Sequence, residues 1–322
     1  MRDYSADDIA SISTPGLMVE ALRSAFQADL VAPVRHHHRI EKSGEPDATL
    51  LLMPAWSGAN QQSDSYAGVK LVTVVPGNSH RGVATINGVY VLNDGQTGEP
   101  VALFDGAMLT VLRTAAASAL AADYLARSDA RNLTMIGAGA MAPHLIAAHA
   151  AIRPIESVTI WNRNLSKAES LAEKLSGSTE LRVEATGDLP AAIRSADLVS
   201  AATLSTEPLI FADDVQPGTH VDLVGAFSPD MRESEGRLLG LAEVYADTMA
   251  GVESEAGDVI QAVRENHLAF AEIKADLFDL ARGHHPGRSP ETDITVFKSV
   301  GAAIEDLAAA AAIHQRCLAT AG

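Results

Sequence analysis

The sequence predicts an α/β protein: a doubly wound parallel sheet joined to a discontinuous α+β domain. Three observations lead there. Strand-like runs follow one another without intervening helices up to Asp105, strands and helices alternate after it, and a long apolar helix closes the chain. The 322 residues are 47% hydrophobic and 20% charged, enough to bury two cores. Aromatics are only 4%, and Ala-rich stretches such as "RTAAASALAADYLA" favour closely packed helices.

The first element is a helix over residues 17–31, where Leu17, Val19, Leu22, Phe26 and Leu30 recur at helical intervals and Pro33 ends the pattern. The runs "TLLLMPAW", "YAGVKLVTVVPGN", "GVYVLND" and "EPVALFD" then read as strands separated by Gly, Asn, Asp and Pro clusters. Strands in series imply a largely antiparallel or mixed sheet. A helix over 107–126 leads into the strands "NLTMIGAG", "SVTIWNR", "LRVEAT", "ADLVSAA", "HVDLVGAF" and "EVYADT", with helices such as "NLSKAESLAEKLSG" and "DLPAAIRSA" between them. That alternation requires a parallel sheet with crossover helices. The closing helix, from Val300, is too long and too apolar to end on the surface. It is expected to pack back on the first domain, so that residues 1–112 and 302–322 form one domain and 113–301 the other. Residues 283–293, "GHHPGRSPETD", are the clearest loop.

A formal net charge of −17 argues against a nucleic-acid or anionic-membrane partner, since either needs clustered Lys and Arg. The single Cys317 excludes an internal disulfide framework and suits a reducing compartment. With neither a charged-then-apolar leader nor an uninterrupted apolar run of membrane-spanning length, the expectation is a cytoplasmic protein acting on a small molecule.

"LTMIGAGAMAPHL" places Gly137, Gly139 and Ala142 in a G-x-G-x-x-A pattern after a β-rich run and before a helix. The first Gly permits a tight turn, the second lets the backbone approach a pyrophosphate, and the small third residue lets helix and strand pack closely. The N–H groups from Gly137 through Gly139, Ala140 and Met141 are the expected phosphate cradle of a Rossmann-type unit. In an NAD site, an acidic residue about 20 residues further on would hold the ribose 2′-hydroxyl. This chain has Asn162 and Arg163 there, with Lys167 one turn into the next helix. An Arg fork on a 2′-phosphate is worth roughly 1.5 to 3 kcal/mol per charge-assisted bond. NADPH is therefore expected over NADH, by about ten- to a hundredfold.

Three cations stand out in the first domain: Arg35 in "APVRHHHRI", Lys70 inside the apolar strand "YAGVKLVT", and Arg113 on the Ala-rich helix. A buried charge needs a partner, and either an anionic substrate or an internal Asp or Glu would serve. His36, His37 and His38 alternate faces in an extended chain, cannot all hold one ion, and are read as a solvated polar loop with no metal site. His284 and His285 fall in the predicted loop and are read in the same way. Asp258 in "EAGD" is either a helix-start residue or part of a site.

Taken in order, "APVR", "LMPAWS", "GVKLVT", "LFDG", "LRTAAASALAADYL", "IGAGAMA", "WNR", "TLSTEP", "VGAFSPDMRE", "EAGD" and "VFKSVGAAIEDLAAA" span almost the whole chain. Together they resemble the ornithine cyclodeaminase/μ-crystallin family. The resemblance implies a homodimer in which the discontinuous domain carries the dimer sheet and the substrate site, and the Rossmann domain carries a nicotinamide cofactor. It implies that Arg35 and Arg113 hold a substrate carboxylate, and that Lys70 faces an imine or amine. It also places Thr114, Thr203, Leu204, Val224 and Lys298 on motifs that line the cofactor. Cyclodeaminases carry an Asp where this chain has Phe227 and a Glu where it has Leu51 and Leu52. The chain is thus more similar to the ketimine reductases that form L-proline from Δ1-pyrroline-2-carboxylate, or L-pipecolate from Δ1-piperideine-2-carboxylate. Ornithine cyclodeamination, an alanine dehydrogenase-like amination and a non-enzymatic, crystallin-like binding role are the alternatives.

Overall fold

A computed structural model describes residues 1–59 and 65–321. The chain divides into two compact units, Met1–Arg113 with Ala302–Gly322, and Thr114–Gly301. Among the described residues, no helix is long and apolar enough to cross a membrane.

The first unit is built on seven strands: β1 (Arg2–Tyr4), β2 (Leu30–Val31), β3 (His36–Ile40), β4 (Ala48–Ser57), β5 (Tyr66–Val74), β6 (Ile86–Asp94) and β7 (Pro100–Asp105). Their order is β1-β7-β6-β5-β4-β2, with β3 also pairing β4. Only the β1–β7 pair is parallel, so the sheet is mixed, as strands in series imply. Register sets the core. Met53, Lys70, Tyr90, Phe104 and Tyr4 lie opposite one another across five strands and are all buried. The closing helix, Ala303–Ala321, packs on β4, β5 and β6.

Two expectations for this unit need correction, and two short elements were not expected at all. The helix predicted over 17–31 is Pro15–Gln27, started by Thr14, whose side chain accepts the Leu17 N–H, and by Pro15 at the first helical turn. It ends at Ala28, and Leu30 and Val31 pair with β4, so the apparent helical spacing of Leu30 was coincidental. The His run is not a loop. His36–Ile40 is a strand exposed along its length, and its polar sequence hid an edge that β4 defines through the His36–Leu52 to Ile40–Ala48 register. The elements not expected are β1 and the short helix Ala6–Ile12, started by a reciprocal Ser5–Asp8 cap, which are too brief to show a period.

The second unit holds β8 (Asn132–Ile136), β9 (Ser157–Trp161), β10 (Arg182–Thr186), β11 (Leu198–Ala201), β12 (His220–Leu223), β13 (Glu243–Ala246), β14 (Ala275–Asp276) and β15 (Thr295–Lys298). All pairings are parallel, in the order β10-β9-β8-β11-β12-β15-β13-β14. This is a Rossmann-type doubly wound sheet: β9 and β10 run outward from β8 on one side, β12 follows β11 on the other with β15 inserted before β13 and β14, and the ends of β8 and β11 are where such folds bind ligands. The fully buried β15 was not anticipated, because its four residues follow a loop with no period of their own. The helices Leu165–Ser176 and Leu189–Arg194 start at Asn164 and Asp188, whose side chains accept backbone N–H groups. The interior is apolar, with Ile136, Val199, Val221, Leu223, Val244 and Val296 at its centre.

Candidate active site

In the first unit, Lys70 sits mid-strand in the buried row and is 2% exposed. Its Nζ donates to Asp306 Oδ1 at 2.9 Å and to Thr110 Oγ1 at 3.2 Å. An ammonium carries three N–H groups, so one is left without an acceptor among the described residues. Arg113 is buried beside it and donates through Nε to the same Asp306 oxygen at 3.1 Å and through Nη1 to Glu305 Oε2 at 2.6 Å. The partners of the two buried cations are thus internal acids, on the first turn of the closing helix, where the helix dipole also favours negative charge.

Burial pushes the Lys70 ammonium down to about 8; Asp306 opposes the fall, while Arg113 and Arg35 add to it. Arg35, half-buried ahead of β3, therefore lies within electrostatic reach of Lys70, and the three predicted cations converge. Tyr90, opposite Lys70 in the sheet, completes the cluster. Burial raises its hydroxyl well above the usual range, Asp306 adding to the rise, and its Oη has no hydrogen-bond partner among the described residues.

In the second unit, a cavity of about 360 Å³ opens at the ends of β8 and β11, lined by Gly137, Gly139, Asn162, Arg163, Lys167, Thr203 and Leu204 among others. Gly137 has φ of +107°, and a Cβ there would stand 2.7 Å from the Ala202 carbonyl oxygen, so glycine is required. At Gly139 a Cβ would meet nothing within 4 Å, which leaves the backbone open to an approaching ligand. The groups present fit a dinucleotide: a bare glycine turn, a helix N-terminus beyond it, and two cations at the β9 side.

Asn162 and Arg163 divide the work. The Asn162 side chain accepts the Ala138 N–H at 3.3 Å and donates to the Asn164 carbonyl at 2.9 Å, bracing the glycine turn against the next helix. Arg163 and Lys167 are exposed, and among the described residues their side chains carry no hydrogen bond or ion pair. Of the other residues expected at the cofactor, Ala140 and Met141 from the glycine turn and Thr114, Val224 and Lys298 by resemblance are not part of the cavity wall. Met141 precedes the helix Ala142–Ile152.

Lys298 is wholly buried, donating to the carbonyls of Leu223 and Gly225, with Asp258 Oδ2 at 3.4 Å. Asp258 stands in the first turn of the helix Gly257–Arg264, and its Oδ1 accepts the N–H groups of Glu233 and Ser234 at 2.7 and 2.9 Å. Glu233, which the sequence did not single out, accepts from Thr203 N and Oγ1 at 2.6 and 2.8 Å. Burial pushes Glu233 up to about 7, with Lys298 opposing and Asp258 adding to the rise. These three groups hold the backbone behind the cavity wall. In the sequence, Glu233 and Asp258 lie in the motifs "MRE" and "EAGD" beside other charged residues, and only Lys298, in "VFKS", stands out as a charge in an apolar run.

Residues 8–321 match the profile of the ornithine cyclodeaminase/mu-crystallin family. The chain belongs to this family. Protein SAR DEFICIENT 4 of Arabidopsis thaliana is 39% identical over 97% of this chain and 96% of its own length. A Delta(1)-pyrroline-2-carboxylate reductase of Paracoccus denitrificans is 37% identical over 87% and 89%. Among solved structures of the family, the Thermococcus litoralis Delta(1)-pyrroline-2-carboxylate reductase in complex with NADH and L-proline superposes with a TM-score of 0.91 at 29% identity, covering 100% of this chain and 98% of that one.

Proposed function

We propose that this protein is an NADPH-dependent reductase of cyclic ketimines, acting on Δ1-pyrroline-2-carboxylate to form L-proline, and on the six-membered Δ1-piperideine-2-carboxylate to form L-pipecolate. The observation that carries this reading is Lys70: a buried ammonium whose pKa is drawn down to about 8, with one N–H left for a ligand and two arginines near it. A group titrating near the working pH suits proton transfer.

Bound in the glycine-turn cavity, the nicotinamide cofactor supplies the hydride that reduces the C=N carbon. Lys70 donates its remaining N–H to the ring nitrogen and so favours the iminium form, which accepts hydride readily. Arg35 and Arg113 hold the carboxylate and thereby fix which face of the ring is presented, a positioning role. With a net charge of −17 the molecule as a whole repels an anion, so this local cluster has to capture it. The relatives named as pyrroline-2-carboxylate reductases support the substrate class.

The Thermococcus enzyme was solved with NADH, whereas the exposed pair Arg163 and Lys167 at this chain's cavity favours a 2′-phosphate. A homodimer is part of the proposal. On the sheet face opposite Lys70, Val31, Trp56, Leu71 and Val89 are 38–40% exposed, an apolar surface suited to a second copy.

One assay set tests the function: oxidation of NADPH and of NADH with pyrroline-2-carboxylate, with piperideine-2-carboxylate, and with pyruvate plus ammonium. Turnover of the cyclic imines without ammonium, faster with NADPH, is expected. Activity confined to pyruvate plus ammonium would replace the proposal with an alanine dehydrogenase.

A further inference from the structure

We infer that Asp306, on the first turn of the closing helix, is the positioning residue that keeps Lys70 protonated and fixes its distance from Arg113. The inference rests on the reading of Lys70 as proton donor. One oxygen of Asp306 is shared: Oδ1 accepts from Lys70 Nζ at 2.9 Å and from Arg113 Nε at 3.1 Å. A single atom thus sets the spacing between the proton donor and a cation that holds the substrate carboxylate. Both side chains have several rotatable bonds, and both are almost completely buried. Without Asp306 two like charges would face each other in a low-dielectric interior, and the lysine, the weaker base, would shed its proton first.

The charged and titratable groups around Lys70 come from every element packed on it. Arg113 lies on the helix Gly106–Leu125, Arg35 ahead of β3, Tyr90 on β6, and Glu305 and Asp306 on the closing helix. Glu305 binds Arg113 through Nη1, and Thr110 is neutral. Asp306 is therefore the carboxylate that contacts Lys70 directly, and it opposes a fall that burial, Arg113 and Arg35 all drive. Its second oxygen, Oδ2, is buried without a hydrogen-bond partner among the described residues. That buried, unpaired oxygen is a cost the fold tolerates for the bridge.

The test is Asp306→Asn, read in two ways. In lysine-ζ-15N NMR of the intact protein, which needs no turnover, the Lys70 titration should move down by about 1 to 3 pH units relative to wild type. In the pH profile of ketimine reduction, the alkaline limb should move down by the same amount, so that kcat/KM at pH 7.5 falls by roughly threefold for a one-unit shift to about two-hundredfold for three units, and recovers in part at lower pH. Asp306→Glu, which keeps the charge, should retain the limb but lower kcat by displacing the donor. An unmoved Lys70 titration in Asp306→Asn overturns the inference. If that variant does not fold, an Asp306→Glu protein with wild-type kcat and KM overturns it instead. A wild type that reduces no ketimine, while the NMR titration still moves, defeats the substrate reading and leaves the assignment of Asp306 standing.

Discussion

The two units treat positive charge in opposite ways. In the mixed-sheet unit Lys70 and Arg113 are buried and shielded by Asp306 and Glu305; in the parallel-sheet unit Arg163 and Lys167 stand exposed at the rim of a cavity. Under the proposed function, the difference matches the role each cation would take. Holding a phosphate needs only a donor fork within reach, and exposure costs nothing. Moving a proton near neutral pH needs a lysine well below its usual range, which requires burial, and burial in turn requires acids to compensate.

The contrast is broken most severely at Lys70. Lys70→Ala should lower kcat by about 10²- to 10⁴-fold, the usual worth of a general acid. NADPH affinity, measured by fluorescence titration, should stay nearly the same; an unchanged kcat would remove Lys70 from the chemistry. Next in size, Arg163→Ala should reduce the NADPH-over-NADH preference in kcat/KM by about ten- to a hundredfold. A ratio that does not move would show that the exposed rim cation selects nothing.

A pH profile of the wild type sharpens the same comparison without mutation. Reduction needs the Lys70 ammonium, so kcat/KM should be level below pH 8 and fall about tenfold per unit above it. A flat profile to pH 9.5 would mean that the lysine does not supply the proton. The smallest effect concerns stability. The folded pKa of Glu233, about 7, lies above its ordinary value of 4.5, so the folded chain binds more protons between the two. The stability this group contributes is complete below pH 4.5 and is lost as pH rises through 7. Glu233→Gln should therefore lose less stability than wild type between pH 5 and 8 in urea unfolding, and parallel losses in both proteins would refute the shift.

Legibility in the sequence followed locality. The glycine turn, the strand before it and Arg163 just past the next strand all lie within residues 132–163. Period, turn chemistry and spacing report on contacts of that range. Elements that owe their state to a distant neighbour did not show. β15 is a strand because β12 and β13 enclose it, whereas His36–Ile40, though its partner β4 is near in sequence, carries no period of its own to show the pairing. Asn162 was read as selecting the cofactor, yet its amide braces the glycine turn, a bond between residues 24 apart that no local pattern signals.

By itself the sequence determined the fold class, the glycine turn that a Cβ would block, and the cations on which a function could be built. Tertiary structure alone decided what those cations do. Lys70 meets Asp306 across 236 positions and Arg113 meets Glu305 across 192. An isolated charge in an apolar run states that a partner must exist, because burial without one is too costly, but it does not say which. Packing of the closing helix on the sheet chose internal acids and left one N–H of Lys70 for a ligand.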